Sequence, residues 1–163
     1  MAIEYSLKVD KEISRTFLLR ELELMAGYGK ITAMELPNGI RISDFEQEFG
    51  LTILLMEAGD YPYNAYDTQF IKDEFVYANT LTFRFINNAY KDETFEVVLA
   101  LVFKLMRNTN SNALFLSNND NELCFFTKDG IYIENSSHVW DKGWFAEALK
   151  ENKYIIFDGN YIF

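Results

Sequence analysis

Residues 113–136, ALFLSNNDNELCFFTKDGIYIENS, decide the fold class. Three short apolar runs, 113–116, 123–126 and 131–133, are divided by Asn118–Glu122 and by Asp129-Gly130. Runs of this length, bounded by turn formers, read as a three-strand antiparallel meander. The oxygen-rich stretch Asn118, Asn119, Asp120, Asn121 and Glu122 also raises the question of a calcium site. Its oxygens are consecutive, so alternate side chains point apart, and the spacing and distant Glu of an EF-hand loop are missing. Asn and Asp tolerate left-handed backbone and bond nearby amides, so two turns explain the segment more simply.

Working outward, residues 92–107 form the clearest helix. Phe95, Val98, Leu99, Val102, Leu105 and Met106 share one face. Asp92, Glu93 and Glu96 near its start, with Lys104 and Arg107 near its end, complement the helix dipole. A strand is expected in VYANTLTFRFI, residues 76–86, where Leu81, Phe83 and Phe85 alternate with Thr80, Thr82 and Arg84, as a half-buried strand does. At the start of the chain, Ile3, Tyr5 and Leu7 alternate likewise. Asp10 is then expected to cap a helix reaching Met25, with Ile13, Phe17, Leu18 and Leu22 inward. Strands at 31–36 and 40–42 flank Pro37-Asn38-Gly39, whose Asn-Gly pair suits a tight left-handed hairpin turn. A helical turn at 44–49 closed by Gly50, a buried strand at 51–56 and a long aperiodic loop follow. Asp141 is expected to cap a short helix at 144–149, before a last strand at 154–157.

The architecture expected is α+β: a mostly antiparallel sheet with two long helices packed on one face. Both halves run strand, helix, then two or three strands, which suggests by topology alone a pseudo-duplicated strand-helix-strand-strand unit. The 163 residues suit one globular domain, 1–163. Fifteen Phe and ten Tyr supply ample area for a core. So many rings also leave a homodimer through an aromatic patch open.

Net charge is −10, with no basic run, which argues against nucleic-acid and anionic-membrane partners. The opening MAIEYSLKVDKEISR lacks the pattern of a signal peptide, and no apolar stretch is long enough to span a bilayer. A cytoplasmic location is expected. Cys124 is the one cysteine and His138 the one histidine, too few for a structural zinc site. Cys124 lies in an apolar run where an inert thiol is the ordinary reading. No P-loop, GxSxG or GxGxxG occurs, and none of the many acids forms a distinctive glycosidase pair. Neither an enzyme nor a cofactor or metal is expected.

Residues 43–74 stand out. They hold eight acids and one base, Lys72, giving −7 of the total −10. The candidate partner-binding residues are Asp44, Glu46, Glu48, Glu57, Asp60, Tyr61, Tyr63, Tyr66 and Asp67. Acids interleaved with tyrosines can steer a basic partner and then anchor it on aromatic rings.

The opening MAIEYSLKV with its helix, the central EFGLTILLMEAG and the late NALFLSNNDNELCFFTKDGIYIENSSHVWD together resemble the swarming-inhibition (Sit-type) toxin immunity family. Glu57 stands where an arginine is expected after the central run. The resemblance implies a cytoplasmic protein without catalytic residues that neutralises a cognate bacterial toxin by steric occlusion. On our reading, that toxin would be basic at its contact surface. The alternative is a small ligand-binding or enzymatic domain with a cleft beside the sheet, lined by Arg84, His138 and Trp140.

Overall fold

The computed structural model describes residues 2–27 and 29–163. Its centre is β1 (Ile3–Val9), and the strands that follow add on either side of it. One side takes β7 (Asn79–Phe85), β4 (Leu51–Glu57), β3 (Gly39–Ile42) and the edge strand β2 (Ala33–Leu36). The other takes β8 (Ala113–Ser117), β9 (Asn121–Thr127), β10 (Gly130–Ile133) and the edge strand β11 (Tyr154–Ile156). All neighbours in this nine-stranded sheet are antiparallel except β10 and β11, which run parallel. Two further strands, β5 (Ala65–Tyr66) and β6 (Phe75–Val76), form a separate pair. The helices are α1 (Arg15–Ala26), α2 (Glu46–Phe49), α3 (Asp92–Arg107) and α4 (Gly143–Lys150). The α+β class with a large, mostly antiparallel sheet is therefore as expected.

Alternation within the strands divides the interior into two cores. Leu7 and Val9 of β1, Leu81, Phe83 and Phe85 of β7, Leu51, Ile53 and Leu55 of β4, and Phe115 of β8 share one core. Leu18 and Leu22 of α1, Val98, Leu99 and Val102 of α3, and Phe145 and Leu149 of α4 pack into it. Trp140 closes this core beside α4, edge-on to Phe103 and Phe145, with Nε1 donating to the Leu123 carbonyl at 3.0 Å. That bond satisfies an indole N–H taken out of water. The second core lies on the opposite face, where Leu114, Leu116 and Phe125 meet Phe70, Ile71 and Phe75.

Several local expectations change. The cap of α1 is Ser14, whose hydroxyl accepts from the Phe17 N–H. Asp10 instead pairs with Asn112, taking its N–H on the side chain and donating to its carbonyl, and so ties the end of β1 to the approach of β8. In the β2–β3 hairpin neither Asn38 nor Gly39 has positive φ. Pro37 holds its own φ negative, which excludes the primed turns. Gly39 is needed for room: a Cβ there would collide with the Leu55 carbonyl oxygen and Met56 across the ladder. Asp141 makes no cap bond to α4, whose N-cap is Lys142; it accepts from Asn135 and contacts His138.

The two halves are also wired differently. Beside β1 lies β8, the first strand of the second meander, whereas beside β7 lies β4, the last strand of the first. A rotation exchanging β1 and β7 lays β8 onto β4, the first strand of one meander onto the last of the other. The pairing thus lacks the symmetry that an internal repeat would give.

Candidate partner-binding surface

The acidic, tyrosine-rich window becomes an excursion between β4 and β7. Its neck is closed where the Ala58 N–H donates to the Ala78 carbonyl at 2.9 Å. Past the neck, Tyr63 N–H donates to Asp60 O and Ala65 N–H to Pro62 O, making a compact tip with a cis Tyr61–Pro62 bond. Tyr77 ties the returning limb to the outgoing one: its N–H donates to Asn64 O and its hydroxyl to Tyr63 O. The far end is anchored as firmly. Phe70 is fully buried against Phe125 and Phe157, and the Glu122 carboxylate accepts from the Thr68 hydroxyl and the Gln69 N–H.

Lys8 of β1 holds the middle. Its ammonium lies 4.5 Å from the Tyr77 ring centre and 5.8 Å from that of Tyr66. Burial lowers the Lys8 pKa, an effect that the Asp120 carboxylate opposes. Tyr66 is pushed up to about 12, first by burial and then by the Asp120 and Glu122 charges.

What this scaffold presents to water is the tip. Tyr61 is 65% exposed and Tyr63 82%, with Asp60 and Pro62 exposed beside them. The Tyr61 hydroxyl is hydrogen-bonded to Glu74, which raises its pKa. A large aromatic surface on a chain segment fixed at both ends loses little entropy on binding.

The window does not fold into one patch. Glu57, Asp60, Tyr61, Tyr63, Tyr66 and Asp67 belong to the excursion or its entry. Asp44, Glu46 and Glu48 lie at the other end of β4, beyond a strand about 20 Å long. There, Asp44 accepts from the Thr32 N–H, and Glu46 accepts from the Thr52 hydroxyl and ion-pairs with Arg41 at 3.1 Å. Lys8 and Tyr77 are the contributors that sequence reasoning left out, and Glu74, counted among the acids of the window, was not among the candidate contacts. The basic Lys8 on an alternating strand carries no sequence signal that tyrosines will cover it.

Beside the excursion, the face of the sheet opposite the helices is partly open. Register sets Arg84 of β7 opposite Thr52 of β4 and, two residues further along β4, Leu54 opposite Arg41 of β3, which in turn faces Met34 of β2. Arg84, Arg41 and Met34 are exposed, and Arg84 ion-pairs with Glu4 at 3.1 Å.

The oxygen-rich stretch of the meander is occupied with the fold itself. Asn118 accepts from the Glu4 N–H and donates to the Ala2 carbonyl, and Asn121 donates to the Asn118 carbonyl. Asp120 takes the left-handed conformation of the turn; the Asn119 side chain lies outside the described residues. Among the described residues, no three His, Cys, Asp or Glu side chains are grouped to hold a metal ion. Cys124 is fully buried, and burial pushes its thiol well above the ordinary range.

The cleft trio does not converge. Arg84 sits on the open face, Trp140 in the core under the helices, and His138 is exposed with Nδ1 2.8 Å from Asp141. A groove of about 590 Å³ lies elsewhere, between the end of α3 and the β9–β10 turn, lined by Phe103, Arg107, Lys128 and Glu151. No described helix is long and apolar enough to cross a membrane.

A family model described as SitI3-like matches residues 3–144. No curated protein and no solved structure matches.

Proposed function

The chain belongs to the SitI3-like family, and on that premise we propose that it is an immunity protein that binds and neutralises a cognate bacterial toxin. Occlusion, rather than chemistry, is the mode of action: the protein covers the toxin's working surface and has no turnover of its own. The observation that carries the contact site is the exposure of Tyr61 and Tyr63 on a tip anchored at both ends. Acids of the same excursion, Asp60, Asp67, Asp73 and Glu74, give it the charge to attract a basic toxin surface. Glu57 at the entry extends that field toward the open sheet face. Action in the cytoplasm, where a toxin arriving from a neighbouring cell would be met, completes the reading.

Co-expression tests it. The product of the gene adjacent to this chain's own is expected to be toxic when made alone, cells are expected to survive it when the protein is present, and the two are expected to co-purify. Unabated toxicity with full-level expression of the folded protein would overturn the proposal.

A further inference from the structure

The two edges of the sheet are treated differently. On β2, Glu35 points to Arg15 of α1 at 2.6 Å, and Pro37 follows at once. Charge and proline are the usual guards against another chain adding to an edge. Within β11 itself neither guard is present, Lys153 standing just before it: Tyr154, Ile155 and Ile156 are 46%, 52% and 52% exposed. The tail beyond does not cover them. It turns at Gly159, φ +90°, and returns along the opposite face, where Ile162 N–H donates to Phe70 O and Phe163 O accepts from Lys72 N–H.

The backbone of β11 has a defined free side. Phe157 donates inward, to the Ile133 carbonyl at 2.9 Å. Backbone groups alternate sides along a strand, so Ile155 also faces β10, and Tyr154 and Ile156 hold their N–H and C=O outward. We propose that this edge is a homodimer interface, in which β11 pairs antiparallel with β11 of a second copy about a two-fold axis at Ile155. In that register Tyr154 of each copy exchanges both backbone bonds with Ile156 of the other, and Ile155 faces its own counterpart.

A second copy is the occupant because the edge matches itself and lacks what a basic partner would seek. The segment 153–157, KYIIF, carries a lysine and no acid in a chain of net charge −10. Two copies therefore meet without opposing carboxylates, and each Lys153 comes alongside the turn holding the other copy's Asp158. Like charges directly opposite would disfavour pairing, and opposite charges favour it. An isologous two-fold contact also closes after one addition, so no filament grows from it.

Light scattering over a concentration series tests the mass, expected to approach twice 19.1 kDa and to fall to the monomer in Ile156→Pro, which removes an outward N–H only. Cross-linking tests the register independently of that variant's folding. Ile155→Cys is expected to form an intermolecular disulfide, because facing residues of a non-hydrogen-bonded pair have Cα atoms about 4.5 Å apart. Tyr154→Cys, offset by two residues from its counterpart, is expected not to cross-link, and native Cys124 is fully buried. A monomeric mass at every concentration, or equal cross-linking by both cysteine variants, would overturn the proposal.

Discussion

The Lys8 ammonium stands 4.5 Å from the centre of the Tyr77 ring, so the central strand of the sheet grips the excursion that carries the exposed tyrosines. A desolvated cation over an aromatic face contributes about 1–2 kcal/mol. Lys8→Ala is expected to destabilise the protein by about 1 kcal/mol and to speed amide exchange across residues 60–77. Hydrogen-exchange mass spectrometry reads this directly, and unchanged protection there would show that Lys8 does not hold the segment.

Phe70 anchors the other end. It is fully buried between Phe125 and Phe157, and Phe70→Ala is expected to cost about 3–5 kcal/mol in urea unfolding. The loss should exceed that of Tyr63→Ala, whose ring is 82% exposed and whose removal is expected to change stability by less than about 0.5 kcal/mol.

Tyr66 gives the excursion an alkaline limit. Its pKa is about 12 against an ordinary 10.0, so the folded state holds the proton that the unfolded chain releases first. This contribution is complete below pH 10 and is lost as pH rises through about 12. Tyr66→Phe is expected to flatten the fall in thermal stability over that window. It should also remove one late-titrating phenol from the tyrosinate absorbance curve, leaving Tyr5, likewise raised to about 12 by burial.

Gly39→Ala is expected to destabilise by about 3 kcal/mol, because the new methyl meets the Leu55 carbonyl oxygen, a backbone atom fixed by the β3–β4 ladder. Gly29→Ala, with nothing within 4 Å of the added carbon, is expected to be near neutral. Paired thermal melts of the two variants separate crowding from a general glycine effect.

Local signals were legible where one segment decided its own structure. Helix α3 matches its expected bounds because apolar spacing and end charges agree over 16 residues. The meander at 113–133 was equally plain. What depended on distant partners was not. The side chain of Asp10 looks like a cap in sequence, but Asn112 claims it. The parallel seating of β11 on β10 follows from where α4 returns the chain, which no short motif encodes. Phe70, Ile71 and Phe75 sit among acids without a period, yet they found the second core. In the candidate site, adjacency in sequence misled in one respect: β4 stands between Asp44, Glu46 and Glu48 and the excursion, carrying the two groups to opposite ends of a strand.

Titration calorimetry with the product of the gene adjacent to this chain's own, in low and high salt, tests the central claim most directly. Tight binding that weakens as salt rises is expected, with a loss of at least about tenfold in Tyr63→Ala, corresponding to about 1.4 kcal/mol. No heat of binding at either salt concentration would contradict the immunity role. Tight binding that Tyr61→Ala and Tyr63→Ala leave unchanged would contradict the tip as the contact.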